Sequence, residues 1–234
     1  MRNSMLVAGL LLAVPHAAFA GDAKADSGWV QLFNGKDLAG WKIHPMPSGS
    51  ITEVVRIEKD GKVIGYDGKL KDDKTTHLWR VEDGMLIGSG PPSHLFSDRG
   101  DYVNFHYRIE AKINDKGNSG QYFRTAFGPG FPAGYEAQIN ATHRDTIRTG
   151  SLYLPKIKEV LVLNDAPHKP DEFFVQEVIC IGDTITIKVN GKITIDSFKD
   201  PEARHKKGHF ALQGHDPGTV VTFKKIEVKE LPAK

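Results

Sequence analysis

Three dipeptides constrain this chain more than any other feature: Asp60-Gly61, Asp83-Gly84 and Asn190-Gly191. Each sits between two runs in which apolar and polar residues alternate. An Asx-Gly pair tolerates the positive φ angles of a two-residue hairpin turn, and alternation marks strands with one buried face. The spacing predicts hairpins joining 51–58 to 62–66, 78–82 to 85–88, and 185–189 to 192–195. With 24 Gly and 13 Pro among 234 residues, turns are frequent and long helices disfavoured. Only 155–164 leaves room for a helix. No internal repeat, low-complexity tract or long linker divides the chain, so the expectation is an all-β, single-domain β-sandwich.

The first twenty residues are not expected to join that fold. Arg2 precedes an apolar run from Met5 to Val14, and Ala18-Phe19-Ala20 supplies small residues for cleavage. The run is about half the roughly 20 residues needed to span a bilayer, so 1–20 reads as a secretory signal peptide. A short polar lead, 21–28, follows, and the domain is expected over 29–231. No cysteine follows the cleavage site to carry a lipid, so the mature protein is expected to be exported, periplasmic or secreted, without membrane insertion.

Composition removes several function classes. Lys+Arg total 31 against 29 Asp+Glu, a net charge of +2, which argues against a nucleic-acid partner. The single cysteine, Cys180, excludes an internal disulfide and a multi-cysteine metal site. No histidine pair has helical metal-ligand spacing, and no Gly-x-Ser-x-Gly elbow occurs. No cofactor motif is present and none is expected. A groove-bound divalent metal ion would leave no recognisable spacing, and oligomeric state is unreadable.

Alternate residues of a strand leave opposite faces of a sheet. In 101–113, Val103, Phe105, Tyr107, Ile109, Ala111 and Ile113 share an apolar face. In 118–124, Gln121 and Phe123 lie opposite Asn118, Tyr122 and Arg124. In 134–140, Tyr135, Ala137 and Ile139 lie opposite Glu136 and Gln138. In 209–215, Phe210 and Leu212 lie opposite Ala211, Gln213 and His215. The polar faces hold Arg, Glu, Gln and His but almost no lysine, which suggests a groove for a neutral polyol. The plainer alternative is that Arg124 and Glu136 form a cross-strand ion pair on a solvated face. A conventional glycosidase needs two carboxyl groups flanking the bond, and the strand neighbour of Glu136 is an amide, Gln138. One carboxylate, one imidazole and one guanidinium instead suit proton abstraction next to a carbonyl.

Several motifs carry a family resemblance. Residues 32–41 read Leu-Phe-Asn-Gly-Lys-Asp-Leu-Ala-Gly-Trp, 117–124 read Gly-Asn-Ser-Gly-Gln-Tyr-Phe-Arg, and 134–139 read Gly-Tyr-Glu-Ala-Gln-Ile. With 81–84, 149–153, 189–191 and 212–215, in order over nearly all of 29–231, they resemble the 3-keto-disaccharide hydrolase family, also described as 3-keto-glucoside 1,2-lyase/3-keto-2-hydroxy-glucal hydratase. The resemblance implies a concanavalin A-like jelly roll whose concave face binds sugars, and an oxidised (3-keto) sugar as substrate. It also implies a reaction: a base removes the C2 proton, the C1 aglycone is eliminated, and the 2-hydroxy-glucal product is hydrated. On that footing Glu136 or His215 is the base and the other handles the leaving group or water. Arg124 stabilises the enolate, while Asn118, Tyr122, Gln138 and Gln213 contact the sugar. Residues 43–77 exceed the family's usual link and are expected to add a hairpin bordering the groove, and 172–174 depart from its usual Glu-Trp-Asn. A non-catalytic, lectin-like carbohydrate-binding module is the alternative on the same fold.

Overall fold

The computed structural model describes residues 28–44, 49–154 and 160–232. The segment read as a leader, 1–20, and nearly all of the polar lead lie outside them. In chain order the strands are β1 (Val30–Gln31), β2 (Trp41–Ile43), β3 (Ile51–Lys59), β4 (Lys62–Leu70), β5 (Thr75–Glu82) and β6 (Met85–Ser89). Next come β7 (Ser93–Ser97), β8 (Phe105–Ile113), β9 (Ser119–Thr125), β10 (Tyr135–Ile139), β11 (Leu152–Tyr153) and β12 (Val160–Leu161). The last five are β13 (Phe174–Ile181), β14 (Thr184–Val189), β15 (Lys192–Lys199), β16 (His209–Gly214) and β17 (Val220–Glu230). Among the described residues there is no helix, so none is long and apolar enough to cross a membrane.

All pairings between these strands are antiparallel and build a single-domain, two-sheet jelly-roll sandwich. One sheet of ten strands runs β15-β14-β13-β8-β17-β6-β5-β4-β3, with β1 pairing β17. The other, of seven, runs β12-β11-β10-β9-β16-β7-β2. The three Asx-Gly hairpins form where the spacing places them. Asp60, Asp83 and Asn190 have φ of 51°, 49° and 49°, and Gly61, Gly84 and Gly191 have 72°, 76° and 77°. Both turn residues are left-handed, which matches the twist of the flanking strands.

The core lies between the sheets. From β8, Phe105, Tyr107, Ile109, Ala111 and Ile113 are fully buried. They meet Phe123, Tyr135, Ala137, Ile139, Phe210 and Leu212 from the smaller sheet, and Tyr107 stacks on Phe210 at 4.0 Å. Burying one such side chain contributes roughly 1.5–3 kcal/mol, so this interdigitated layer holds the register of the central strands. The opposite faces of β9, β10 and β16 are thereby turned away from the core.

Two sequence expectations need correction. Val103 lies ahead of β8 and is 44% exposed, because the alternation begins only at Phe105. The stretch 155–164 contains no described helix: 155–159 falls outside the described residues, and Val160–Leu161 is a short strand on the sheet edge. The 43–77 insertion does hold a hairpin, β3 with β4, at the edge of the larger sheet.

Candidate active site

The central strands of the smaller sheet set the site. Glu136 pairs with Tyr122 on one side and Tyr153 on the other, while Gln138 pairs with Gly120. Gln213 pairs with His94 across β16 and β7. Because alternate residues are locked into the core, these side chains share the outer face. A cavity of about 340 Å3 opens there, lined by Asn118, Tyr122, Glu136, Gln138, Gln213 and His215, with Phe131, Asp145, Ile147 and Tyr153 added from loops and β11. Six of the seven residues singled out from the sequence therefore line one cavity.

Glu136 is 3% exposed. Burial pushes its carboxyl up to about 8, while a hydrogen bond from the Tyr122 hydroxyl works in the opposite direction and the Asp145 charge adds to the rise. The carboxyl lies over Gly120, where an added Cβ would meet its Oε1 at 2.1 Å. Glycine at that position is what gives Glu136 its place. With its amide nitrogen turned inward, Gln138 donates to Glu136 Oε1 at 3.0 Å and to the Ser119 carbonyl at 2.7 Å. Gln213 donates from Nε2 to the Tyr122 hydroxyl at 2.9 Å, which leaves its buried Oε1 without a partner.

His215 stands at the end of β16 and meets Asp216: Nδ1 lies 3.1 Å from Oδ2. Asp216 is fixed by its own turn, since Oδ1 accepts the Gly218 backbone N–H at 3.1 Å. A carboxylate at Nδ1 holds the proton there, so Nε2 carries the lone pair. His143 Nε2 lies 3.4 Å from the same Asp216 oxygen.

His143, His215 and Asp216 also bring three potential metal-ligand atoms within 4.8 Å of one another. The hydrogen bonds decide against that use. His143 Nδ1 accepts the backbone N–H of Asp145 at 3.1 Å, and burial favours the neutral ring. Its proton must then sit on Nε2, the atom facing Asp216, and a protonated nitrogen has no lone pair for a cation. Asp216 sits between the two rings, hydrogen-bonded to His215 and 3.4 Å from His143 Nε2.

Arg124 is the exception among the expected site residues. β9 bulges against β16 between His209 and Ala211, and Arg124 adopts a left-handed φ of 48°. The bulge breaks the alternation and sends the side chain away from the cavity. There its Nη2 donates to the Val103 and Gly182 carbonyls at 2.6 and 2.7 Å, Nε to Val103 at 3.1 Å, and Nη1 to the His205 carbonyl at 3.3 Å. The guanidinium is thus placed neither for an enolate nor for an ion pair with Glu136.

The same fold and motif order run the length of a known family. The chain belongs to the 3-keto-alpha-glucoside-1,2-lyase-like domain family. The family match spans residues 28–229, which makes this a carbohydrate-active domain. No curated protein sequence matches it. Among solved structures it is similar to a protein named as a candidate glycosyl hydrolase from Parabacteroides distasonis ATCC 8503. The two share 22% identity over 88% of this chain and 94% of that one, with a TM-score of 0.60. The laminarinase catalytic domain of Thermotoga petrophila RKU-1 is 14% identical over 86% and 98%, with a TM-score of 0.51. The carbohydrate-binding module CBM66 of Bacillus subtilis is 15% identical over 79% and 100%, at 0.50. At such identities the likeness shows the fold, which enzymes and binding modules share.

Within this 3-keto-glucoside lyase-like domain, the sequence reading missed Tyr153 on β11 and five loop residues, Asp145, Ile147, Phe131, His143 and Asp216. Strand alternation cannot find those five because they lie outside the paired strands. Asp145 matters most, since it puts a second carboxyl on the cavity where the strand pattern offered one. Its loop is knitted by Arg148, whose Nη1 donates to the His143 and Asp145 carbonyls at 2.9 and 2.6 Å. Asn140, formally an N-glycosylation acceptor, is fully buried and donates to the Asp145 and Ile147 carbonyls. It is no modification site in the folded domain.

Proposed function

We propose that this domain cleaves 3-keto-glycosides by β-elimination and rehydration. The observation that carries the reading is the pairing, in one cavity, of a carboxyl held protonated by burial with an imidazole oriented by a carboxylate. A ketone at C3 acidifies the C2 hydrogen, because the carbanion delocalises onto the carbonyl oxygen. His215 Nε2 takes that proton. The C2 electron pair then forms the C1=C2 double bond, the C1–O bond breaks, and Glu136 protonates the departing oxygen. Water adds to C1 and gives a proton to the Glu136 carboxylate, and C2 is reprotonated from His215 after the abstracted proton has exchanged with solvent. Both groups end as they began. The Asn118 amide is the donor offered to the developing oxyanion, a task that Arg124 does not meet from its position. A positioned donor of this kind contributes about 3–4 kcal/mol. The leader-like segment 1–20 supports export, so that substrate would be met outside the cytoplasm.

The Asp145 carboxyl favours one rival, a two-carboxyl hydrolase acting on ordinary glycosides. Incubation in D2O separates the two. Elimination from a 3-keto-glucoside places deuterium at C2 of the released 3-keto sugar, and the unoxidised glucoside remains intact. Release of aglycone from the unoxidised glucoside, or a product without C2 deuterium, would overturn the lyase reading. Binding of either sugar without turnover would support the non-catalytic module.

A further inference from the structure

The guanidinium that leaves the catalytic face does not end in solid core. Beside it lies a second cavity of about 380 Å3, at the rim where the approach to β8, the β13–β14 turn and the segment after β15 meet. It shares no lining residue with the catalytic cavity, and its volume is that of a small-molecule site. Arg124, 3% exposed, forms the buried end, and Lys206, fully in solvent, stands at the open end. Val103, Ala203 and the rings of Tyr135 and His205 supply the walls. The two rings meet edge-on at 5.1 Å.

The charge at the buried end has no counter-charge. A guanidinium is always ionised and carries five N–H donors. Four hydrogen bonds from Arg124 go to the Val103, Gly182 and His205 carbonyls. These carbonyls satisfy the donors and bring no negative charge, and one Nη1–H is left over. The buried carboxylate of this region, Asp200, is already committed: it pairs with Arg204 at 3.3 Å and accepts the Tyr135 hydroxyl at 2.6 Å. Asp183 and Lys206, both exposed at the rim, offset each other, so the cavity keeps the positive charge of Arg124. Buried charges in proteins are normally paired, because an ion taken out of water without a partner is strongly destabilising.

The walls decide what kind of anion fits. The Tyr135 hydroxyl is turned to Asp200, burial favours the neutral form of His205, and Val103 and Ala203 are apolar. A phosphate or sulfate would bring oxygens on every side to walls with few donors. We propose that this cavity binds a small monocarboxylate with a flat, apolar body, one oxygen accepting the free Nη1–H of Arg124 and the other facing the Lys206 ammonium. The site stands apart from the catalytic reading and survives or fails without it.

The test is titration of isotope-labelled protein with benzoate, read from backbone amide shifts. Saturable shifts are expected at Gly182, Asp183 and 203–206, with a Kd of about 1 mM, the range for a ligand of that size. Benzamide keeps the shape without the charge, and inorganic phosphate keeps a charge without the body. Each should bind at least about tenfold more weakly, the difference one charge-assisted hydrogen bond makes. Lys206→Gln should raise the benzoate Kd about two- to fivefold, as an exposed partner does. Val103→Glu, at a position 44% exposed, tethers a carboxylate in the cavity. It should abolish saturable benzoate binding and melt no lower than wild type. Benzamide binding as well as benzoate would reduce the site to an apolar hole, and phosphate binding as well would reduce it to a general basic patch. Either result overturns the proposal, as does the lack of any saturable benzoate binding. Shifts centred on Gln138 and Gln213 instead, or a benzoate Kd unchanged in both variants, would overturn it by placing the ligand elsewhere.

Discussion

Glu136 shows how a single carboxyl takes its chemistry from its surroundings. In the folded protein it holds its proton up to about pH 8, whereas in an unfolded chain it ionises near the ordinary glutamate value of 4.5. Between those values the native state binds the extra proton. The carboxyl's contribution to stability is therefore full below the lower value and declines as pH rises through the window. Glu136→Gln removes this slope. The variant should gain on wild type between pH 5 and 8, by on the order of 1–3 kcal/mol, read from urea melts across that range. Its turnover of a 3-keto-glucoside should fall about 10²–10⁴-fold. A stability gap independent of pH would mean that the buried carboxyl is already ionised. Asp216 works through His215 rather than on substrate. Asp216→Asn should lower kcat by about 10²–10⁴-fold with KM little changed, because the wrong imidazole tautomer is then favoured. Asp216→Glu should recover part of the loss, a rescue that a purely structural role would not give.

At the scale of the element, one bulge reassigns a residue. Asn118 and Tyr122 keep the phase that alternation predicts along β9, and both line the cavity. Beyond Tyr122 the extra residue turns Arg124 away, and its guanidinium braces the backbone of β8's approach and the β13–β14 turn. Arg124→Gln should therefore act on stability, costing about 2–4 kcal/mol as buried carbonyls lose their donors. The kcat of the folded protein should stay within about twofold of wild type, measured well below the melting temperature. A loss of two orders of magnitude in kcat at unchanged stability would return Arg124 to the chemistry. Lysine should not substitute, since one ammonium cannot reach three carbonyls in the planar arrangement that the guanidinium spans.

For the molecule as a whole, the sandwich supplies a rigid sheet on which the site is written. The buried face of β9, β10 and β16 locks their register, and a slip of one residue would put Glu136, Gln138 and Gln213 into the core. This coupling explains why so much of the site was legible. Asx-Gly hairpins and period-two alternation are local properties of the chain, and the outward placement of Tyr122, Glu136, Gln138, Gln213 and His215 follows from them. The loops were not legible. Asp145 and His143 reach the cavity through a turn held by Arg148, and Phe131 through a loop that doubles back over two strands.

By itself, then, the order of residues determined which side chains share a face, because backbone pleating dictates that wherever strands form. It also determined where the chain reverses, because only certain residues accept a left-handed turn. Only the tertiary structure decided that Arg124 leaves that face, that a second carboxyl joins Glu136, and that His94 is sealed beneath a loop. Each of these depends on contacts between segments far apart in the chain, where the cost of burying a polar atom is set by neighbours that local periodicity cannot name.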